Sequence, residues 1–126
     1  MEGPMAKRIL VVEDNDLNRK LFGDVLKSQG FEVEPVADGR EALDKARSFA
    51  PDLIIMDIQL PHVSGLELIA AARGDAVLAG VPVLAVTAYA GKGDEDAIRA
   101  AGAAGYLAKP VSIGPFMATV KGLLEG

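Results

Sequence analysis

Five short apolar runs separated by helical patterns constrain the fold of this chain more than any other feature of its sequence. Four of them, residues 9–12, 53–56, 83–86 and 106–108, show no alternation of apolar and polar residues. Such runs are typical of parallel strands that are covered on both faces. The fifth run, residues 31–36, alternates with Glu32 and Glu34, which predicts a more exposed edge strand.

Helical patterns occupy the segments between the runs, and each can lay an apolar row on a sheet. The rows are Leu17, Leu21 and Val25 with Phe22 and Leu26 beside them, then Ala42, Leu43 and Ala46, then Leu66 and Ile69, and finally Phe116, Val120, Leu123 and Leu124. Ser64 and Glu67 have the spacing of a capping box at the start of the third helix. The fourth helix, predicted over residues 93–101, has only Ile98 as a large apolar residue, and we expect it to be mobile.

This order of elements is a βα unit repeated five times. Parallel strands joined by helices cross over right-handedly, so the sequence predicts a doubly wound α/β sandwich. A length of 126 residues suits one domain, which we expect over residues 7–126. Residues 1–6 show no periodicity, and we interpret them as a loose leader or a cloning remnant.

Composition excludes several classes of function. Thirteen basic and eighteen acidic residues give a net charge of −5, which argues against nucleic acid as a direct partner. There is no cysteine, and the single His62 cannot supply a pair of imidazole ligands, so a zinc site is not expected; His62 itself is given no role. The longest uncharged run, residues 76–91, is too short to span a membrane. We therefore expect a cytoplasmic protein with no membrane partner.

Five polar groups follow the ends of the predicted strands. Glu13 and Asp14 come after the first strand, Asp57 after the third, Thr87 ends the fourth, and Lys109 follows the fifth. In open α/β sheets, ligands bind outside the carboxyl ends of the strands, so these groups are expected to converge at one edge. Clustered carboxylates without His or Cys favour a hard cation such as Mg²⁺, for which Mn²⁺ or Ca²⁺ could substitute in a crystal.

The position of Asp57 indicates covalent chemistry. It ends an apolar strand, where an ion is costly to desolvate, and Ser64 already caps the following helix. A carboxylate beside Mg²⁺ can attack phosphorus and form an acyl phosphate. Lys109 would then neutralise charge on the transferring group, and the hydroxyl of Thr87 would donate to a phosphoryl oxygen.

At these positions the sequence resembles the receiver domains of two-component response regulators. The resemblance extends from Lys7 to the carboxyl terminus, and the motifs that carry it are I-L-V-V-E-D-N at residues 9–15, D-L-I-I-M-D-I-Q-L-P at 52–61, V-T-A at 86–88 and K-P at 109–110. M-D-I-Q-L-P, S-G-L-E and the run A-x-K-G-D-E-D-x-I-R at residues 90–99 are most similar to the DivK-type single-domain regulators of bacterial cell-cycle kinases. The resemblance implies a flavodoxin-like sheet with strand order 2-1-3-4-5.

The resemblance also implies roles for individual residues. Asp57 becomes the phosphoacceptor and, with Asp14, a direct Mg²⁺ ligand. Glu13 would bind the ion through water, and the backbone carbonyl of Gln59 would be a further ligand. Thr87 and Lys109 keep the roles given above. The remaining implied roles are Tyr106 as the aromatic switch residue that turns inward as Thr87 moves, a cis bond between Lys109 and Pro110, and tuning of the phosphoryl lifetime by Gln59 and Tyr89.

The resulting hypothesis is a phosphorylation-controlled switch. A sensor histidine kinase or histidine phosphotransfer protein passes a phosphoryl group to Asp57, and the altered surface then binds a downstream protein such as another kinase. Such a chain catalyses its own phosphorylation and dephosphorylation without being a conventional metabolic enzyme. The alternative is a stand-alone Mg²⁺-dependent phosphatase with an aspartyl-phosphate intermediate. That enzyme would want a second acid two residues after Asp57, where this chain has Gln59.

Overall fold

Five parallel strands form a single sheet in the structure, a computed structural model that describes residues 6–89 and 91–125. The strands are β1 (Arg8–Val12), β2 (Glu32–Val36), β3 (Leu53–Asp57), β4 (Val83–Thr87) and β5 (Gly105–Ala108), and the sheet order is β2-β1-β3-β4-β5. The helices are α1 (Asp16–Ser28), α2 (Ala42–Phe49), α3 (Gly65–Arg73), α4 (Lys92–Ala101) and α5 (Ile113–Glu125), and a short 3₁₀ turn (Gly39–Glu41) precedes α2. The predicted doubly wound fold and its strand order are confirmed.

Each face of the sheet carries its own apolar cluster, because successive side chains of a strand point to opposite faces. Ile54 and Met56 of β3 pack with α2, α3 and α4 on one face. Leu53 and Ile55 of the same strand pack with α1 and α5 on the other. Every residue of β3 and β4 is buried, as expected for central strands without alternation.

The two edge strands, β2 and β5, are less buried than the central strands. β2 is an edge strand, as its alternating sequence predicted, and it is half-exposed with Pro35 paired opposite Val11. β5 lies at the other edge. Its run was predicted to be covered on both faces, which is wrong: Tyr106 and Leu107 are only partly buried and Ala108 is exposed. An apolar strand of four residues cannot by itself distinguish an edge from the centre.

The buried face of α1 differs from the main apolar row predicted for it, which contains Leu17, Leu21 and Val25. Leu17 is 80% exposed and Leu21 is 41% exposed, whereas Phe22 and Leu26 are buried in the core. The adjoining row therefore packs on the core, where the ring of Phe22 also stacks on Phe116 of α5 with centroids 5.0 Å apart. Packing against α5 sets the rotation of the helix, which the periodicity of α1 alone leaves open.

The starts of α3 and α4 agree closely with those predicted from the sequence. The capping box of α3 is present: the hydroxyl of Ser64 accepts a bond from the backbone, and the carboxylate of Glu67 accepts one from Ser64 N. Helix α4 begins one residue earlier than predicted, at Lys92. The interpretation of residues 1–6 as a leader lies outside the described residues apart from Ala6, and Ala90 of the 90–99 motif also lies outside them. Within the described ranges, no helix is long and apolar enough to cross a membrane.

Candidate phosphoacceptor and metal site

The parallel register brings the predicted polar groups to one edge of the sheet. Asp57 pairs opposite Val86, next to Thr87 at the end of β4, and Thr87 pairs opposite Ala108, next to Lys109. Glu13 and Asp14 directly follow β1, which lies on the other side of β3. The strand that carries Asp57 is therefore flanked by the strand ends that carry Glu13, Asp14 and Thr87, and Lys109 follows the next strand beyond β4.

Asp57 is almost completely buried, with 2% of its surface exposed. Its Oδ1 accepts a hydrogen bond from Gln59 N at 3.0 Å, and its Oδ2 lies 3.2 Å from Nζ of Lys109. Burial raises the pKa of Asp57, and the neighbouring Glu13 raises it further, against the opposing effects of Lys109 and of the backbone bond from Gln59. Without a cation beyond Lys109, the site does not fully compensate a charged Asp57.

Lys109 bridges the two buried acids. Its Nζ lies 3.1 Å from Glu13 Oε1 and 3.2 Å from Asp57 Oδ2. Burial would lower the pKa of Lys109, but the carboxylates of Glu13 and Asp57 outweigh burial and raise it. Lys109 is therefore a fixed ammonium group directed at the carboxylate of Asp57.

The acidic residues fit a divalent cation. Glu13, Asp14 and Asp57 each offer a carboxylate oxygen, and these oxygens all lie within 4.8 Å of one another. Glu13 is 1% exposed, and its Oε2 accepts a bond from Asn15 N, whereas its buried Oε1 has no hydrogen bond of good geometry among the described residues, although Lys109 is close enough for an ion pair. A cluster made up of carboxylate oxygens suits Mg²⁺, which prefers oxygen ligands.

The segment that carries Glu13 and Asp14 is held by a residue that the sequence reasoning missed. Nη1 of Arg19 donates to the backbone oxygens of Glu13, at 2.9 Å, and of Asp14, at 3.3 Å. The side chain of Asn15 caps α1 by accepting from Asn18 N. An arginine one turn into a helix that follows two acids is the signal that could have indicated this contact.

Thr87 belongs to the site through Gln59 rather than through Asp57. Nε2 of Gln59 donates to Thr87 Oγ1 at 2.6 Å, and Oε1 of Gln59 accepts from Ala88 N at 2.8 Å. Thr87 Oγ1 also accepts from Tyr89 N at 3.0 Å. This side-chain bridge between the loop after β3 and the end of β4 is additional to the backbone role and the effect on phosphoryl lifetime predicted for Gln59.

The other predicted residues lie around this edge. The hydroxyl of Tyr106 is buried with no hydrogen-bond partner within the described ranges, and its ring packs against the α2–α3–α4 face, so its switch role stays a prediction. The Lys109–Pro110 bond is cis, the isomer that the resemblance implied. Tyr89 is 62% exposed, and His62 is exposed in the loop after β3.

A large cavity lies away from the cluster around Asp57. It has a volume of about 460 Å³ and is lined by Lys7, Asp52 and Arg73, among others, near the amino ends of the strands. We take the carboxyl-end cluster as the functional site, because it unites buried acids, an ammonium group and raised pKa values, and the larger cavity does not.

The fold and this cluster define a class of protein. A family model for the response regulator receiver domain matches residues 9–121 of the chain, and the chain belongs to that family. It is a receiver domain of the phosphorylation-controlled signalling type.

Individual relatives agree with this membership. The chain is 50% identical over 120 residues to the polar-differentiation response regulator DivK of Brucella ovis, covering 95% of this chain and 98% of the relative. A putative response regulator from Chloroflexus aurantiacus has a TM-score of 0.92 at 32% identity, covering 97% of this chain and all of that one. The receiver domain of a Pseudomonas aeruginosa sensor histidine kinase, with a magnesium ion coordinated in its active-site cleft, has a TM-score of 0.88 at 33% identity, covering 97% and 100%.

Proposed function

We propose that this chain accepts a phosphoryl group on Asp57 and passes the signal on by contacts with other proteins. The observation that carries the proposal is the buried carboxylate of Asp57, held 3.2 Å from the ammonium group of Lys109 beside two further acids. A buried carboxylate with a raised pKa and a fixed cation is a functional arrangement rather than a stabilising one.

In the proposed step, an oxygen of Asp57 attacks the phosphorus of a phosphohistidine. The new O–P bond gives an acyl phosphate, and the P–N bond breaks with its electron pair going to the histidine nitrogen, which takes up a proton. Lys109 stabilises the negative charge on the transferring oxygens throughout. The cycle is completed by hydrolysis: water attacks the acyl phosphate, inorganic phosphate is released, and the carboxylate of Asp57 is regenerated.

Glu13, Asp14, Asp57 and the backbone carbonyl of Gln59 would hold Mg²⁺ in this site. When bound, the ion supplies charge neutralisation for the phosphoryl oxygens. The three carboxylates must be ionised to bind the ion. Lys109, whose Nζ lies 3.2 Å from Asp57 Oδ2, is placed to contact a phosphoryl group on that residue.

The partners proposed for this cycle are a sensor histidine kinase or histidine phosphotransfer protein as donor and a downstream protein, such as another kinase, as target. Similarity to DivK, named a polar-differentiation response regulator, supports a cell-cycle or polarity setting. By analogy with the family, α4, β5 and α5 form the output surface. Tyr106 would act as its switch residue, and the exposed Tyr89 beside Gln59 would tune the phosphoryl lifetime. A cytoplasmic location stays a prediction.

Labelling with a small phosphodonor tests the proposal. The chain is incubated with acetyl phosphate and Mg²⁺, and phosphorylation is measured by intact-protein mass spectrometry and located by peptide mapping. We expect labelling of the wild type, none of Asp57→Asn, and at least tenfold slower labelling of Lys109→Ala, because the ammonium group that stabilises the phosphoryl charge is lost. Lys121→Ala, at an exposed lysine on α5, is the matched control and should label normally. Equal labelling of the wild type and Asp57→Asn would overturn the proposal.

The residue at position 59 argues against the phosphatase alternative, because it is a glutamine and not an acid. A phosphatase of this type wants an acid at that position to protonate its leaving group, and here the amide is bonded to Thr87 and Ala88. Turnover of p-nitrophenyl phosphate distinguishes the two functions. We expect no sustained release of nitrophenol, because residue 59 offers no acid to protonate the leaving group. Sustained release would favour the phosphatase.

A further inference from the structure

The side-chain amide of Gln59 uses both of its ends to hold the end of β4. Its nitrogen donates to Thr87 Oγ1 at 2.6 Å, and its oxygen accepts from Ala88 N at 2.8 Å. The bond to Ala88 N has an ordinary length for an N–H···O hydrogen bond, and the bond to Thr87 Oγ1 is slightly shorter than usual. These are long-range contacts between the loop after β3 and the end of β4, and they tie the two strand ends together beside Asp57.

The same residue is tied to Asp57 through its backbone. Gln59 N donates to Asp57 Oδ1 at 3.0 Å. Gln59 therefore contacts Asp57, the proposed phosphoacceptor, with its main chain. Its side chain contacts Thr87 and Ala88. One residue therefore links Asp57 to the bonds that hold Thr87 and Ala88.

The bonds of the amide compete with the proposed switch. In the proposed function, Thr87 moves toward a phosphoryl group on Asp57. In the structure, Thr87 Oγ1 already accepts from Gln59 Nε2 and Tyr89 N, and the N–H of Ala88 is engaged by Gln59 Oε1. A backbone N–H donates one hydrogen bond, so Ala88 N–H is available to a phosphoryl oxygen only after it leaves Gln59. Movement of Thr87 likewise stretches a 2.6 Å bond.

The surroundings leave the amide room to move. Gln59 is partly exposed and lines a cavity of about 270 Å³ together with Leu66, Tyr89 and Ile98. The amide can therefore swing away from Thr87 without displacing the closely packed core on either side of β3. A second position of this side chain, in which the amide no longer contacts Thr87 and Ala88, would give the chain a two-state element.

We propose that Gln59 is a positioning residue whose side-chain amide clamps Thr87 and Ala88 in the unphosphorylated arrangement and thereby sets how strongly a phosphoryl group must act to switch the chain. This inference rests on the proposed function, because it assumes that the switching ligand binds at Asp57. It differs from a backbone metal-ligand role, which any residue at position 59 could fill. The clamp depends on the amide alone.

Gln59→Met tests the clamp because methionine has a similar length but neither the amide donor nor the amide acceptor. Gln29→Met is the matched control, since Gln29 is exposed and contributes only its backbone N–H to the end of α1. Isotopically labelled wild type and both variants are titrated with beryllium trifluoride, a tetrahedral mimic of a phosphoryl group, at saturating Mg²⁺. The readouts are the amide signals of Ala88, Tyr89 and Tyr106 and the midpoint of the titration.

We expect Gln59→Met to bind the mimic on the order of fivefold to tenfold more tightly than the wild type, because two hydrogen bonds that favour the unswitched arrangement are lost. The Ala88 amide should also exchange faster with solvent before any ligand is added. Gln29→Met should behave as the wild type in both measurements. Unchanged or weaker binding by Gln59→Met would overturn the clamp, since a side chain that only packs would not oppose the ligand.

The same experiment distinguishes failure of the proposed function from failure of the clamp. If the wild type shows no response to the mimic with Mg²⁺, the phosphoacceptor assignment fails. The exchange of the Ala88 amide in ligand-free protein then decides whether the clamp exists: a rate equal to that of the wild type in Gln59→Met would rule it out.

Discussion

Asp57 is a buried carboxylate whose neighbours act in opposite directions on its charge. Lys109 and the N–H of Gln59 favour the charged form, while burial and Glu13 favour the neutral form and together prevail. The metal-free protein therefore stores unfavourable electrostatic free energy at this residue. A bound cation or an added phosphoryl group changes the electrostatic free energy at Asp57. This local change can favour a different arrangement of the surrounding residues.

The raised pKa of Asp57 predicts a pH dependence of stability. Because the folded chain holds the proton more tightly than the unfolded chain, the associated stability is fully present below the ordinary aspartate pKa of about 3.9 and is lost as the pH rises through the folded value. In EDTA at pH 7, Asp57→Asn should therefore have a higher free energy of unfolding than the wild type. The gain should shrink toward pH 4. Urea unfolding across this range measures it.

Asp24→Asn is the control for this pH series. Asp24 is exposed, and its hydrogen bond with Lys20 lowers its pKa, so its removal gives no gain at pH 7. A constant difference between Asp57→Asn and the wild type at all pH values would contradict the electrostatic explanation.

Among the elements, α3 begins directly against the end of β3, which carries Asp57. Its first residue, Gly65, lies so near the end of β3 that a β-carbon there would come 2.7 Å from Ile58 Cα and even closer to the carbonyl oxygen of Asp57. Both neighbours are backbone atoms, which cannot rotate away. The absence of a side chain at residue 65 therefore sets where Asp57 and α3 sit relative to one another.

We predict that Gly65→Ala lowers the free energy of unfolding by about 2–3 kcal/mol, because backbone must shift to admit the methyl group. Gly23→Ala is the matched control: Gly23 is also helical and buried, but nothing lies within 4 Å of its β-carbon position. That variant should be neutral or stabilised by up to about 1 kcal/mol. Denaturant unfolding measures both, and equal effects of the two substitutions would contradict the steric argument.

At the scale of the whole molecule, three acids from two strands act together only when the chain is folded. A cation that binds this cluster stabilises the fold by mass action, by about 2.7 kcal/mol at a concentration one hundred times its dissociation constant. We expect MgCl₂ to raise the melting temperature of the wild type well above the effect of NaCl at equal ionic strength. Asp14→Asn should lose most of this response, and Asp24→Asn should keep it.

An equal response to MgCl₂ in Asp14→Asn and the wild type would show that the ion binds elsewhere. Asp14 suits this test because its side chain is exposed, unlike those of Glu13 and Asp57, so its substitution leaves the core intact.

The sequence predicted the sheet and the strand-end groups because both depend on local pattern and chain direction. Buried strands appear as unbroken apolar runs, and parallel strands bring their carboxyl ends together whatever the details of packing. The rotation of α1 was missed because Leu17 and Phe22 are equally apolar, and only contact with Phe116 selects between their rows. The clamp by Gln59 was missed because it joins residues 28 and 29 positions apart.

The exposed edge at β2 has a consequence for how these molecules behave when concentrated. An unpaired strand edge can recruit the same strand of another copy and start a growing ribbon of chains. Here Pro35 lacks the N–H that such pairing needs, and Glu32 and Glu34 bring like charges together in any side-by-side arrangement of two such edges. The strand at this end therefore terminates the sheet and discourages the stacking that leads to insoluble fibres.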